Sequence, residues 1–205
     1  MTGVVPPALP SGRRVLTIPN AISAARLACV PLFLWLLWGA DRPAVAAWLL
    51  AALGATDWID GYIARHFAQG SEFGKVLDPT ADRALLIAGA IALLGEDVPT
   101  AVRAVVLVVL VRETVVGAVT LALAAAGARR IDVLWAGKAG TLAIMFALPM
   151  FLLGAHVRGG WYALLELGGW GFSLSGLALG WYAAARYVPA ARAAVAEGRA
   201  ARVTA

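Results

Sequence analysis

Four aspartates, Asp57, Asp60, Asp78 and Asp82, lie in a chain whose other residues are largely apolar. A carboxylate at membrane depth is costly and needs a compensating partner. On helices, each sequential pair shares one face, because residues three or four apart are neighbours on a helix surface. Four converging carboxylates repel one another, and hard divalent cations such as Mg²⁺ or Mn²⁺ relieve that repulsion. The spacing therefore predicts a two-metal site, the usual clamp for displacement at phosphorus.

Small and basic residues lie between the two aspartate pairs. Gly61 and Gly74 lack side chains, which permits a ligand to approach the backbone closely. Ala64 keeps the inner helix face narrow, and Arg65 is placed one helical turn beyond Gly61, where it could hold a phosphate. A lone aspartate near a helix end is usually a cap or a surface charge. Four aspartates with these neighbours are better interpreted as one binding site.

The composition predicts that membrane-spanning helices position this site. Of 205 residues, 61% are hydrophobic and 14% are charged, whereas soluble domains have about 45–50% apolar and about 25% charged residues. A spanning helix needs roughly 17–25 mostly apolar residues. The chain is therefore predicted to be an all-α, polytopic membrane protein with six transmembrane helices. The predicted spans are about 19–39, 43–66, 79–95, 99–126, 132–155 and 160–187.

Basic residues set the predicted orientation of these spans. One side collects only Arg42, Arg103 and Arg158. The other side collects Arg13, Arg14, Arg65, Lys75, Arg83, Arg129, Arg130, Arg186, Arg192, Arg199 and Arg202. The positive-inside rule then places both termini and the loop around 66–78 in the cytoplasm, so the aspartates lie at the cytoplasmic face of the cell membrane. The net charge of +5 is spread along the chain, so no nucleic-acid partner is expected.

Three segments are expected along the chain. Residues 1–14, with three prolines and two glycines, are predicted to be a disordered cytoplasmic leader. Residues 15–187 form the predicted membrane domain, and the alanine- and arginine-rich residues 188–205 form a cytoplasmic tail. The single cysteine, Cys29, excludes an internal disulfide and is interpreted as a small buried apolar residue.

Residues 57–82 match the pattern D-x2-D-G-x2-A-R-x8-G-x3-D-x3-D at every position. Through this motif the chain resembles the CDP-alcohol phosphatidyltransferases. Its six predicted spans and cytoplasmic termini also resemble the membrane domain of that family. Further similarity lies in residues 17–26, in Arg112-Glu113 and in Gly137-Lys138. These segments resemble the branch that contains phosphatidylglycerophosphate synthase and CMP-forming cardiolipin synthase.

The resemblance implies a role for each matched residue. Asp57, Asp60 and Asp78 would hold two metal ions, Mg²⁺ or Mn²⁺. Asp82 would complete that site and act as the general base toward the acceptor hydroxyl. The hydroxyl would attack the phosphorus that carries the lipid, and CMP would leave. The residues implied to frame the cytidine diphosphate part of the donor are Gly61, Ala64, Arg65 and Gly74.

The implied donor is CDP-diacylglycerol, and the preferred acceptor is glycerol 3-phosphate, which gives phosphatidylglycerophosphate. The alternative acceptor is phosphatidylglycerol, which gives cardiolipin. Candidate residues for the acceptor are Arg26, Arg112, Arg129, Arg130 and Lys138. Other interpretations stay open: an internal ion pair for Arg112, snorkelling for Lys138 and topology signals for the arginine pair. Membrane lipids are expected partners, and the last span could also serve homodimer contacts.

Two other function classes also use buried carboxylates. An intramembrane prenyltransferase has aspartate-rich sites and Mg²⁺, but more spans and differently spaced acidic motifs are expected there. A cation-coupled transporter usually places its carboxylates near the bilayer midplane, on interrupted helices in repeated halves. Here the aspartates cluster at one end of two predicted helices and no internal repeat is found. The sequence therefore favours the transferase.

Overall fold

A computed structural model describes the backbone of residues 18–67, 74–125, 135–157 and 159–203. Side chains are described for residues 20–56, 77, 80–119, 135–157 and 159–186. The described backbone is helical apart from short connections, which confirms the all-α prediction. Its elements are α1 (Ile18–Leu34), a π-helix (Trp35–Gly39), α2 (Pro43–Phe67), α3 (Gly74–Gly95), α4 (Thr100–Ala125), α5 (Trp135–His156) and α6 (Gly160–Val203).

Among the described residues, two helical segments are long and apolar enough to cross a membrane, judged by length and composition alone. They are Asn20–Gly39, which joins α1 to the π-helix, and Trp135–His156, which is α5. A bilayer core of about 30 Å requires roughly 20 apolar residues. Helices α2 and α3 carry the aspartates, and this lowers their apolar character.

Two helix ends differ from those predicted by hydropathy, and the first predicted span changes helix type before it ends at Gly39. Helix α1 gives way to the π-helix, in which Ala40 N donates to Trp35 O at 2.8 Å. Helix α3 begins at Gly74, before the predicted start at residue 79. Helix α6 continues to Val203, well past residue 187. Hydropathy marks only apolar residues, whereas alanine, arginine and glutamate also favour helix, so polar extensions escape that criterion.

Helix α3 lies at the centre of the packed core. Its buried residues cover a wide arc of the helix surface: Ala81, Leu85, Leu86, Ala88, Ala90, Ala92 and Leu93. Phe33 of α1, Leu50 of α2 and Val106 of α4 belong to the same buried cluster. A helix that is buried around much of its circumference must be apolar on several faces. Consequently, the polar residues that α3 does carry are displayed at its N-terminal end.

Helices α5 and α6 approach each other at backbone distance through three glycines. A Cβ atom added to Gly140 would lie 2.9 Å from both Gly176 O and Gly180 N. One added to Gly176 would lie 2.8 Å from Gly140 O. Any larger residue would push the helices apart, since the atoms in the way belong to the backbone. The same small-residue contact allows close helix approach in membranes.

Candidate active site

Helices α2 and α3 carry the four motif aspartates. Asp57 and Asp60 lie in the C-terminal part of α2, and Asp78 and Asp82 lie in the N-terminal part of α3. Each pair is thus on continuous helix, as the spacing argument requires. Asp82 is the member of the set whose side chain is described. The following predicted metal and donor-site residues lie outside the described side chains: Asp57, Asp60, Gly61, Ala64, Arg65, Gly74 and Asp78.

The Asp82 carboxylate forms an ion pair with Arg26 of α1, between Oδ1 and Nη1. The side chain of Arg26 is 1% exposed and that of Asp82 is 22% exposed. A buried guanidinium needs an opposite charge, because taking an unpaired charge out of water costs several kcal/mol. The pair therefore fixes the orientation of the Asp82 carboxylate. Arg26, predicted to bind the acceptor, contacts the predicted base directly.

Arg26 belongs to a polar face of α1. Asn20, Ser23 and Arg26 follow one another at intervals of three residues, and all three are buried. Each also makes polar contacts within the protein. Residues at this interval share a helix face, so α1 directs a polar stripe into the bundle beside Asp82.

A second ionic cluster lies on the neighbouring helices. Arg112 and Glu113, consecutive residues of α4, form an ion pair between Nη1 and Oε1. Arg83 of α3 places its Nε 3.9 Å from Glu113 Oε2. Arg112 Nη1 also donates to Thr141 Oγ1 of α5 at 3.3 Å. One carboxylate is thus shared by two guanidinium groups, and the cluster as a whole connects α3, α4 and α5.

The Arg112 guanidinium is enclosed by protein. Its side chain is 7% exposed, and a Cβ atom added to Gly180 would lie 2.8 Å from Nε and 2.9 Å from Cζ. The group therefore packs flat against the α6 backbone. Within the described part of the chain, Nε has no hydrogen-bond partner. Arg112 is held by Glu113 and Thr141 in this arrangement, and the ion-pair interpretation describes it better than an open acceptor site does.

The other candidates for the acceptor differ in their placement. Lys138 lies near the start of α5 and is exposed. A lysine whose side chain snorkels to the membrane interface would be exposed in the same way. Its neighbour Trp135 is 77% exposed. Arg129 and Arg130 lie outside the described residues.

At the other end of the bundle is a separate polar contact. His156 Nδ1 donates to Leu152 O at 3.0 Å, and its Nε2 lies 3.2 Å from Glu96 Oε2. A cavity of about 660 Å³ lies beside it, between the α3–α4 and α5–α6 connections. His156 is thus remote from Asp82. Neither the histidine nor the cavity belongs to the aspartate site.

The donor set of the motif suits a hard divalent cation. Four carboxylates on two consecutive helices offer oxygen ligands alone, which Mg²⁺ and Mn²⁺ prefer. Asp82, one of the four, is only 22% exposed and contacts a buried arginine on its Oδ1 side. The residues present therefore fit the predicted metal by their chemistry.

The family model for CDP-alcohol phosphatidyltransferase matches residues 16–186. The chain belongs to this family. It is accordingly an enzyme of phospholipid biosynthesis, and its family is membrane-associated and generally uses a divalent metal.

Relatives of two activities resemble the chain. The CMP-forming cardiolipin synthase of Streptomyces coelicolor is 38% identical over 85% of this chain and 82% of its own length. The CDP-diacylglycerol–glycerol-3-phosphate 3-phosphatidyltransferase of Bacillus subtilis is 35% identical over 66% of this chain and 76% of its own. The protein of the same name from Haemophilus influenzae is 31% identical over 64% and 72%. These names confirm the branch of the family that the sequence resembles.

No site role was predicted for Thr141, Arg83 or Gly180. Thr141 and Gly180 meet Arg112 only because α5 and α6 pack closely, and nothing in the local sequence indicates that contact. Asn20 and Ser23 carried a usable signal, since polar residues three apart in an apolar helix indicate a buried polar face.

Proposed function

We propose that this protein transfers a phosphatidyl group from CDP-diacylglycerol to the primary hydroxyl of a phosphate-bearing acceptor. The observation that carries the proposal is the Arg26–Asp82 ion pair, which orients the last aspartate of the family motif at the edge of a buried polar face. The match of the family model over most of the chain supports the same chemistry.

In the proposed reaction the acceptor oxygen forms a bond to the phosphorus that carries diacylglycerol. The bond from this phosphorus to the CMP oxygen breaks, and CMP leaves with the electron pair. Asp82 receives the hydroxyl proton, because Arg26 holds its carboxylate in a fixed orientation. Divalent cations held by Asp57, Asp60, Asp78 and Asp82 would supply neutralising charge at the diphosphate when bound.

Two acceptors are consistent with the family branch. Sequence similarity alone preferred glycerol 3-phosphate, and the Bacillus and Haemophilus relatives support it. The Streptomyces relative is similar over more of the chain and at higher identity, and this favours phosphatidylglycerol. We propose phosphatidylglycerol as the first acceptor to test, with cardiolipin as product, and glycerol 3-phosphate as the second.

The proposed site lies at the cytoplasmic face of a multi-pass protein in the cell membrane. Six spans with both termini in the cytoplasm are supported by the distribution of basic residues and by six helices among the described residues. CMP is soluble and diacylglycerol is not, so a site at the membrane surface suits both parts of the donor. A homodimer through α6 stays a prediction.

A CMP-release assay tests this function. The purified full-length protein is incubated with CDP-diacylglycerol, with or without each acceptor, in the presence of Mg²⁺, Mn²⁺ or EDTA. We expect CMP release only with both an acceptor and a divalent metal, because the carboxylates need the metal to act on a diphosphate. Absence of CMP release with every acceptor would refute the proposal, and the ratio of kcat/KM for the two acceptors would identify the physiological one.

A further inference from the structure

The ionic cluster on α3 and α4 carries an excess positive charge. Arg83 and Arg112 share the single carboxylate of Glu113, whose side chain is 6% exposed. Arg112 contacts Oε1 of Glu113 directly, whereas Arg83 lies near Oε2 of the same carboxylate. Two cations with one anion leave a net charge of about +1 among the described groups of this cluster. Such a cluster attracts an anion.

Arg83 is the member of the cluster that can reach a ligand. Its side chain is 40% exposed, in contrast to the enclosed Arg112. The 3.9 Å separation between Arg83 Nε and Glu113 Oε2 exceeds a hydrogen bond. In the part of the chain that the structure describes, Glu113 is the ionic partner of Arg83. Glu113 thus attracts the Arg83 guanidinium toward α4 without accepting a hydrogen bond from its Nε, and its N–H groups stay available for a ligand.

Gly117 of α4 makes room for this guanidinium. A Cβ atom added to Gly117 would lie 3.4 Å from Arg83 Nη1, at the limit of ordinary contact. A larger side chain would occupy the space that the guanidinium now fills. Glu113 and Gly117 together hold Arg83 between α3 and α4, which reduces the conformational entropy that a ligand-binding arginine would otherwise lose.

Arg83 directly follows Asp82 on α3, so the two side chains leave the helix about 100° apart, Asp82 toward Arg26 of α1 and Arg83 toward Glu113 of α4. Both candidate acceptors carry a phosphate separated from the reacting hydroxyl by a short carbon chain. We propose that Arg83 binds the phosphate of the acceptor and thereby delivers its hydroxyl to Asp82, an assignment that rests on the proposed function. The planar guanidinium suits bidentate binding of phosphate oxygens. Glu113 and Gly117 act as positioning residues.

Kinetics of the full-length enzyme test this assignment. Replacing Arg83→Gln is expected to raise the KM for the acceptor by about tenfold or more, because a charge-assisted hydrogen bond to phosphate is lost. The KM for CDP-diacylglycerol should change by less than about twofold, within the range of a surface substitution. Arg83→Lys should give a smaller rise in acceptor KM, since charge is kept while the bidentate geometry is lost. Arg42→Gln, an exposed arginine at the opposite end of the bundle, serves as the control.

Separate arms of the experiment distinguish which kind of phosphate Arg83 binds. Soluble glycerol 3-phosphate tests a free phosphate monoester, and phosphatidylglycerol at varied mole fraction in phosphatidylcholine vesicles tests a lipid phosphodiester. A third arm adds phosphatidylserine, an anionic lipid that is not an acceptor. If phosphatidylserine alters wild-type activity but not that of Arg83→Gln, and the variant keeps the wild-type acceptor KM, Arg83 binds bulk lipid and the assignment is wrong.

A binding measurement separates this inference from the proposed function. Inorganic phosphate or glycerol 3-phosphate should raise the thermal unfolding midpoint of the wild type, since a ligand bound only to the folded state stabilises it. Arg83→Gln should keep the midpoint of the unliganded wild type and lose the increase. Equal protection of both proteins would overturn the assignment even if the wild type released no CMP. Gly117→Val, which crowds the guanidinium without removing its charge, should also weaken the protection.

Discussion

The contact between α5 and α6 can be tested by one methyl group. In Gly176→Ala the new Cβ would lie 2.8 Å from Gly140 O, about 0.6 Å short of the 3.4 Å at which ordinary contact begins. Since the opposing atom belongs to a helix backbone, no side-chain rotation relieves the overlap, and the helices must separate. Overpacking of this kind costs about 1–3 kcal/mol. Alanine regains about 0.5–1 kcal/mol in a helix relative to glycine, so the middle of the two ranges gives a net loss of about 1 kcal/mol.

Gly171→Ala on the same helix is the matched control. A Cβ atom at Gly171 meets nothing within 4 Å, so only the helical preference for alanine should act, raising stability by about 0.5–1 kcal/mol. The two substitutions are chemically identical and should shift stability in opposite directions. The difference arises solely from what lies opposite each position.

Thermal unfolding of each purified variant in detergent, followed by circular dichroism, measures both effects. For a chain of this size 1 kcal/mol corresponds to about 2–4 °C in Tm. We therefore expect Gly176→Ala to lower Tm by about 2–4 °C and Gly171→Ala to raise it slightly. Equal shifts in the two variants, or a higher Tm for Gly176→Ala, would show that α5 and α6 are not in backbone contact.

Two further substitutions test the ionic groups. Asp82→Asn should lower kcat for CMP release by about 10²–10⁴-fold, because the amide cannot accept the hydroxyl proton. Asp97→Asn, at an exposed position at the other end of the bundle, is the control. A wild-type kcat for Asp82→Asn would exclude Asp82 as the base. Glu113→Gln should lower stability by about 2–3 kcal/mol, since two guanidinium groups lose their shared anion although one hydrogen-bond acceptor remains. An unchanged unfolding midpoint for that variant, compared with Glu166→Gln on α6 in the same scan, would contradict the structural importance of the pair.

Much of the fold follows from composition and periodicity. The six helices found among the described residues correspond to the six predicted apolar segments, since long apolar runs bounded by glycine, proline and charge allow few other structures. The helix ends at Gly74 and Val203 were not predicted. Polar residues continue a helix without any hydropathy signal, so their helical state depends on propensity and on neighbouring helices.

The candidate site, like the fold, could be predicted from the sequence only in part. Motif spacing alone predicted that Asp78 and Asp82 share a face of α3, because a helix fixes the relation between residues four apart. Spacing could not predict that Asp82 meets Arg26, since the two lie on different helices and their contact depends on how α1 packs against α3. The side-chain arrangement of the other three aspartates stays a prediction.

By itself, the sequence determined the reaction class, since the residues from Asp57 to Asp82 are a local pattern and the chemistry of four carboxylates depends on few other residues. Tertiary structure decided which cations surround that pattern. Arg112 is enclosed against Gly180 because glycine contacts bring α6 close to α5, while Arg83 stays partly exposed between α3 and α4. Burial and long-range pairing arise from packing between helices, so these two arginines, each next to an acidic residue in the chain, acquire different environments.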